Sequence, residues 1–285
     1  MSKAKRHYFC GWYFKLQSKT QTIAIIVAYH RAGAKTTASL QIITDDYVNV
    51  TEFPIGAFHK AKGSLDVTLG TNRFSEKGIH LDVHQDGMDL TGEVKFGPWT
   101  AIDGDIMGPF RFVPFMECRH GVWSANHSVD GTLTLNGQEY DFSGGKGYVE
   151  GDRGYSFPSV YLWTQCLFEG GSLMLSVADI PMGFFHFTGL IGFVHIDGKE
   201  YRLATYKGGR ASDIRDGGCR IIQGDMVFTA KLLHKNDHPL RAPVKGSMVR
   251  TIRESASCTA HYTFKVGGRI ILDLTSDKAS FEFEY

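Results

Sequence analysis

The sequence lacks a long apolar run. The longest, Ile23–Tyr29, contains seven residues, whereas a membrane-spanning helix needs about 20. The basic N-terminus is followed by polar and glycine residues where a signal peptide would place its apolar segment, so no export signal is expected. These features predict a soluble, cytoplasmic protein and leave peripheral contact with a membrane surface open.

The sequence also lacks an excess of charge of either sign. Its 31 Lys and Arg residues against 30 Asp and Glu residues leave a formal net charge of +1. A chain this close to neutral has no strong field to attract phosphate groups. Nucleic acid is therefore not expected as a partner.

Paired cysteines are missing as well. The five cysteines are odd in number and scattered, with no CxxC pair typical of a zinc ribbon or a redox site. Reduced thiols in a cytosolic protein fit this pattern best.

Helical periodicity is nearly absent, whereas short runs rich in β-branched and aromatic residues alternate with glycine-bearing turns. The segment from Gly78 to His84 is typical, because its apolar residues alternate with polar ones, and His80 and His84 should face water. The 33 glycines, about 12% of the 285 residues against a usual share of about 7%, favour a curved or closed sheet. We predict an all-β protein.

Asx-Gly pairs predict tight turns between strands, because these residues readily adopt a positive φ. Six such turns are expected, at Asp86-Gly87, Asp103-Gly104, Asp130-Gly131, Asn136-Gly137, Asp197-Gly198 and Asp216-Gly217.

A domain boundary is predicted near residue 145, in the glycine-rich segment Ser143–Gly147. The expected architecture is an antiparallel β-barrel domain over residues 1–145 and another over residues 146–285. A ligand cleft would lie between or within them.

Familiar catalytic motifs do not account for the chain. The glycine run Ser143–Gly147 does not continue as a phosphate-binding loop, and no GxSxG element is present. His80 and His84 have i,i+4 spacing, but on a strand they lack a third ligand. We therefore predict no metal.

Polar and aromatic residues are concentrated between Gly147 and Cys166. In an extended segment Tyr148 and Glu150 share one face, and Tyr161, Trp163 and Gln165 share a face of the next strand. A carboxyl group among aromatic rings is desolvated, which raises its pKa and suits it to donate a proton. In the alternative interpretation, Glu150 or Asp152 pairs with Arg153 or Lys146, and the aromatic residues fill the core.

Two further clusters are candidates for the site. His120, Trp123 and His127 follow one another on a predicted strand upstream of the boundary, and His127 could equally be a hydrogen-bonded core histidine. Near the N-terminus, strand alternation sends Trp12 and Phe14 to one side and Tyr13 to the other. One side should be core and the other could line a cavity.

These segments together resemble the tocopherol cyclase-like family. The resemblance covers essentially residues 7–285 and rests on motifs that are specific only in combination. They are Gly11-Trp-Tyr-Phe-Lys15, Glu117-Cys with His120, Gly147-Tyr-x-Glu-x-Asp-x-Gly154, Ser156-Phe-Pro158, Tyr161-x-Trp-x-Gln165, Ile180-Pro181, Phe187-Thr-Gly189, Tyr201-Arg-Leu-Ala-Thr-Tyr206 and Met248-Val-Arg-x-Ile-x-Glu254.

The resemblance implies two lipocalin-like halves, as in the related carotenoid hydratases and AttH-type proteins. It also implies an intramolecular lyase or isomerase that needs no cofactor: a cyclase or hydratase that protonates an alkene of an apolar isoprenoid or prenylated quinol. Glu150 would be the acid, in a position that is Asp in the related hydratases, and Tyr148 or Asp152 would tune or relay the proton. The expected substrate-binding residues are Trp12, Tyr13, His120, Trp123, His127, Phe157, Tyr161, Trp163 and Gln165.

Two other functions are compatible with the sequence. A lipocalin-like carrier would bind an apolar ligand without changing it, and would need no buried acid. A carbohydrate-binding or carbohydrate-processing protein would use aromatic platforms beside carboxylates. Two carboxylates at i,i+2 on one strand face together, however, and would not readily flank a glycosidic bond.

Overall fold

The computed structural model describes residues 7–114, 116–182, 185–235, 238–244 and 247–285. These residues form antiparallel strands and three short 3-10 helices, Ile55–Ala57, Gly108–Phe112 and Thr205–Lys207, with no α-helix among them. The all-β prediction is confirmed. Within the described ranges, none of the helices has the length and apolar character needed to cross a bilayer.

The first sheet contains twelve strands and forms a nearly closed barrel. Its order is β4-β3-β2-β1-β12-β10-β9-β8-β7-β6-β5, and β11 pairs with β10. The strands are β1 (His7–Gln17), β2 (Thr22–Ala32), β3 (Lys35–Ile43), β4 (Val48–Pro54), β5 (Phe58–Lys60), β6 (Asp66–Leu69), β7 (Asn72–Ser75), β8 (Gly78–Gln85), β9 (Met88–Phe96), β10 (Cys118–Leu135), β11 (Gln138–Asp141) and β12 (Gly145–Gly154).

The second sheet contains ten strands in the order β16-β15-β14-β13-β22-β21-β19-β18-β17, and β20 pairs with β21. The strands are β13 (Tyr161–Phe168), β14 (Gly171–Met182), β15 (Phe185–Ile196), β16 (Lys199–Ala204), β17 (Arg210–Arg215), β18 (Gly218–Gln223), β19 (Met226–His234), β20 (His238–Val244), β21 (Ser247–Val266) and β22 (Arg269–Phe283).

Each sheet has its own apolar core, built by strand alternation. In β8, Ile79, Leu81 and Val83 are buried and the two histidines between and after them are exposed, as predicted. The first core gathers residues such as Phe14, Leu40 and Phe74, and the second gathers a separate set that includes Leu175, Phe228 and Phe264. Burial of such side chains is the main favourable term in folding each unit.

The chain divides into two compact units whose limits differ from the boundary predicted at residue 145. Unit 1 comprises residues 1–102, 116–157 and 241–250, and unit 2 comprises residues 103–115, 158–240 and 251–285. The difference arises because β12, which begins at Gly145, pairs with β1 and β10 and so completes the first sheet. A glycine-rich turn therefore marks the entry to a strand here, and not the end of a domain.

Four of the six predicted turns have the expected backbone. Asp86, Asn136, Asp197 and Asp216 adopt φ values between 50° and 55° at strand connections. The pair Asp103-Gly104 lies outside the strands, and the prediction at Asp130-Gly131 is wrong because this pair lies inside β10. Gly131 occupies the strand with φ 132°, and a Cβ there would lie 2.3 Å from the carbonyl oxygen of Glu93, so close strand pairing explains this glycine.

Candidate functional site

The candidate site is carried by three neighbouring strands of unit 1, with β12 between β1 and β10. In the antiparallel register, Tyr13 lies opposite Glu150, and His120 lies opposite Asp152. Directly opposite residues share a face of the sheet, and residues two apart on one strand share it too. Tyr148, Glu150 and Asp152 therefore lie on one face together with Tyr13 and His120.

The side chains on this face form a continuous polar cluster. The Tyr148 hydroxyl donates a hydrogen bond of 2.7 Å to Glu150 Oε2. His120 lies between the two carboxylates, with Nδ1 3.0 Å from Asp152 Oδ1 and Nε2 3.3 Å from Glu150 Oε2. The second contact has ion-pair distance, but its geometry is not that of an aligned hydrogen bond. The Cys118 thiol donates to the same Asp152 oxygen over 3.3 Å.

The protonation of His120 is set by opposing effects. Its side chain is only 9% exposed, and those of Glu150 and Asp152 are 6% and 23% exposed. Burial by itself lowers the pKa of His120, but the charges of Glu150 and Asp152 and their contacts with the ring prevail and raise this pKa well above 6.5. The imidazole is therefore protonated at neutral pH, and each ring nitrogen carries a proton towards a carboxylate.

The hydrogen-bond donors around this trio stay neutral. Burial, followed by the charge of Glu150, raises the pKa of Tyr148 well above 10. Burial, followed by the charge of Asp152, raises the pKa of the Cys118 thiol well above 9. Both groups thus keep their protons, and they donate hydrogen bonds to Glu150 and Asp152, respectively.

The same trio has the composition of a metal-binding site. His120, Glu150 and Asp152 each offer one ligand atom, and these atoms lie within 4.8 Å of one another. One imidazole with two carboxylates is a set that divalent transition metals accept. In the described geometry both His120 nitrogens face carboxylate oxygens, so a cation would have to replace the Nε2–Glu150 contact.

Two of the predicted aromatic residues, Trp12 on β1 and Trp123 on β10, lie on the opposite face of the sheet from the polar cluster. Trp12 belongs to the apolar core of unit 1, and Trp123 packs against that core. Gly151 lies between them: a Cβ at this position would be 3.0 Å from Trp12 Cδ1 and 3.2 Å from Trp123 Nε1. Since Gly151 and Glu150 point to opposite faces, these two tryptophans do not contact the polar cluster. Tyr13, by contrast, shares the face of Glu150.

His127 is a core histidine. Its Nδ1 lies 2.9 Å from the Ser124 hydroxyl, and its ring packs 4.5 Å from the centroid of Phe96 and 5.7 Å from that of Trp99. Burial lowers its pKa to about 4, so the ring is neutral at pH 7. This arrangement matches the alternative interpretation of His127 and separates it from His120.

The remaining predicted residues lie farther along the chain. Phe157, in unit 1, packs edge-on against Phe9 with a centroid distance of 5.2 Å. Tyr161, Trp163 and Gln165 belong to unit 2, where they share one face of β13, and all three are buried. The Tyr161 hydroxyl donates to Glu282 Oε2 on the adjacent strand β22.

Sequence reasoning missed two residues of the cluster face. Cys118 precedes His120 by two positions and so shares its face, and it contacts Asp152 directly. Lys15 lies opposite Tyr148 in the register and is fully buried. The signal for both was the i,i+2 spacing to residues already singled out, His120 and Tyr13.

The sequence profile of the tocopherol cyclase-like family matches residues 88–284, well over half of the chain. The chain therefore belongs to the tocopherol cyclase-like family. The matched range includes β10 and β12, which carry His120, Glu150 and Asp152. None of the curated proteins compared with the chain matches it significantly.

Solved structures show the same fold at low sequence identity. The crystal structure of CghA is 10% identical with a TM-score of 0.64 and covers 98% of this chain and 88% of its own. Kievitone hydratase from Nectria haematococca is 11% identical with a TM-score of 0.54, covering 96% of this chain and 88% of its own. A protein of AttH type from Nitrosomonas europaea is 12% identical with a TM-score of 0.54, covering 98% and 93%.

Proposed function

We propose that this protein is an acid-catalysed cyclase or hydratase that protonates an alkene of an apolar, unsaturated substrate such as a prenylated quinol. The observation that carries the proposal is the buried cluster in which a protonated His120 bridges Glu150 and Asp152. Membership of the tocopherol cyclase-like family supports the same class of chemistry.

Glu150 is the proposed donor of the proton to carbon. Both of its described polar contacts, with Tyr148 and His120, use Oε2. His120 Nε2 lies 3.3 Å from Oε2, so His120 passes its proton to Glu150 and thereby forms the acid that meets the alkene. General acid catalysis of this kind contributes roughly 10²–10⁴-fold to a rate.

The proposed reaction balances without a redox step. The alkene π electrons take the proton of Glu150 and form a C–H bond, which leaves a carbocation and a carboxylate. A hydroxyl oxygen of the substrate, in a cyclase, or of water, in a hydratase, then forms the C–O bond. The proton of that hydroxyl passes to Glu150 and from there to His120, which restores the imidazolium and the carboxylate of the resting cluster.

Tyr13 is the aromatic residue placed to stabilise the carbocation. It lies directly opposite Glu150 on β1 and is 8% exposed. A ring face beside a developing cation lowers its energy through the ring quadrupole. Trp123, one of the expected substrate-binding residues, packs against the core on the opposite face of the sheet, which favours Tyr13 for this role.

The proposal is tested with the protein's own ligand. Solvent extraction of protein purified from its native host, with mass spectrometry, would identify the bound molecule, which is then incubated with ligand-free protein. We expect conversion to an isomer or a hydrated product, in the presence and absence of a chelator. Glu150→Gln should lower kcat at least about 10²-fold and leave binding nearly intact.

The matched control is Glu117→Gln. Glu117 also accepts a hydrogen bond from a tyrosine, Tyr155, over 3.2 Å, but it does not contact His120. We expect wild-type kcat for this variant. A ligand recovered unchanged from wild-type protein would indicate a carrier and overturn the catalytic proposal. Activity lost only with the chelator would indicate that the trio works through a metal.

A further inference from the structure

The second sheet has a face of buried polar side chains that its core does not use. On β13, Leu162 and Cys166 point into the apolar core of unit 2. Gln165, between those two in the alternation, therefore points to the opposite face, and it is 0% exposed. Among the residues that the structure describes, neither the Oε1 nor the Nε2 atom of Gln165 has a hydrogen-bond partner.

A second unpartnered group lies beside it. Ser172, on β14, is also 0% exposed, and its hydroxyl has no hydrogen-bond partner within the described ranges. Gln165 pairs with Met174 in the register, so Ser172 is its diagonal neighbour on the same face. Diagonal neighbours lie about 7–8 Å apart, which allows both side chains to contact one group of a ligand.

Apolar side chains flank these two groups, although Ser280 lies opposite Gln165 and the partly exposed His195 lies opposite Ser172 on the same face. Leu167 and Met174 are their direct cross-strand partners, and Phe193 lies opposite Met174 on β15. All three are at most 1% exposed. A buried amide and a buried hydroxyl without partners are costly, because each has lost its hydrogen bonds to water. An occupant that supplies the missing bonds recovers that cost.

We propose that Gln165 and Ser172 form a subsite within unit 2 that receives a neutral hydroxyl group of an apolar ligand. The amide offers two donors and one acceptor and the hydroxyl offers both, which matches an oxygen that also donates and accepts. An anionic head is disfavoured because Glu282 lies on the same face, two positions along β22 from Ser280, the partner of Gln165. This inference rests on the proposed function for the apolar nature of the substrate.

A pair of probes tests the subsite. Geranylgeranyl hydroquinone carries hydroxyl groups, whereas its dimethyl ether can only accept hydrogen bonds. Binding is measured by tryptophan fluorescence in a Glu150→Gln background, so that turnover does not interfere. We expect the hydroquinone to bind about tenfold more tightly than the ether. Gln165→Leu or Ser172→Ala should reduce this preference to about twofold or less.

Gln223→Leu is the matched control. The amide of this buried glutamine accepts from the Ala204 N–H over 2.8 Å and donates to the Arg202 carbonyl over 2.9 Å. We expect this variant to melt at a lower temperature and to keep the preference. Without ligand, Gln165→Leu should melt at the wild-type temperature or above, because no internal hydrogen bond is lost.

The outcomes separate the two proposals. A preference that persists in Gln165→Leu, or a fall in its melting temperature as large as that of Gln223→Leu, overturns the subsite and leaves the proposed function standing. A preference that depends on Gln165 in a wild-type protein without turnover supports the subsite and overturns the catalytic proposal. If neither probe binds, both the subsite and the substrate class are wrong.

Discussion

Replacing His120 with phenylalanine should destabilise the protein strongly at neutral pH. The variant keeps a ring but leaves Glu150 and Asp152 without the cation between them. The ligand atoms of these carboxylates lie within 4.8 Å of each other. At that distance and an effective dielectric constant of about 20, their repulsion is about 3.5 kcal/mol. Removing one partner of a buried ion pair typically costs about 3–5 kcal/mol, so we expect a loss in this range.

Urea unfolding at pH 7 measures this loss, and a surface ion pair supplies the control. His261 and Asp273 lie 2.7 Å apart, with side chains 37% and 58% exposed. Because solvent screens such a pair, His261→Phe should cost no more than about 1 kcal/mol. Adding Glu150→Gln to His120→Phe removes one charge and should restore part of the stability.

The pH dependence gives a second readout. The pKa of His120 is higher in the folded than in the unfolded protein, so its contribution to stability is complete below about pH 6.5. It is lost as the pH rises through the folded pKa. Wild-type protein should therefore become less stable as the pH rises above about 6.5. His120→Phe should lack this pH-dependent loss. Equal pH slopes, or a loss no larger than that of His261→Phe, would refute the bridging role of His120.

Three further predictions follow from packing, burial and hydrogen bonding. Gly151→Ala should cost about 1–3 kcal/mol by chemical denaturation, because its Cβ would crowd Trp12, while Gly56→Ala, with open space around it, should be nearly neutral; equal effects would contradict the packing. His127→Phe should reduce the loss of stability between about pH 6.5 and 4, since burial lowers the pKa of the folded ring to about 4 and the unfolded state binds the proton more readily. If the stability of the variant falls with pH as steeply as that of the wild type in this range, the ring is accessible to solvent. Arg202→Gln should speed amide exchange in residues 103–112, because Arg202 donates to the carbonyls of residues 103 and 105; unchanged exchange would show that other contacts hold this segment.

The strand pattern made part of the site predictable from the sequence. Alternation alone placed Tyr148 and Glu150 on one face and separated Tyr13 from Trp12, and the structure has both arrangements. This works because the side-chain period of a strand is 2, so one buried residue fixes the orientation of its neighbours.

The contacts within the cluster could not be predicted in the same way. The meeting of His120 with Asp152 depends on the register between β10 and β12, which local sequence does not determine. The pairing of β10 with β12 also shifts between Val122 and Ser124. A bulge at this point changes which face the residue between them occupies. Ser124, beyond the shift, lies opposite the core residue Val149, although simple alternation would place it on the face of His120.

The predicted domain boundary differs from the limits of the two units for a related reason. Turn residues mark where a strand ends, but they do not show which sheet the next strand joins. The polar segment from Ser143 to Gly147 leads into β12, which adds to the sheet begun by β1 over 100 residues earlier. Long-range pairing of this kind belongs to the tertiary structure.

The proton transfer from the cluster to carbon can be tested directly by isotope incorporation. The ligand extracted from the protein is incubated with wild-type enzyme in D₂O, and the product is analysed by mass spectrometry and NMR. We expect one deuterium on the carbon that was part of the alkene, and no incorporation with Glu150→Gln. A product that forms without deuterium on carbon, or equal incorporation by Glu150→Gln, would contradict the assignment of Glu150 as the acid.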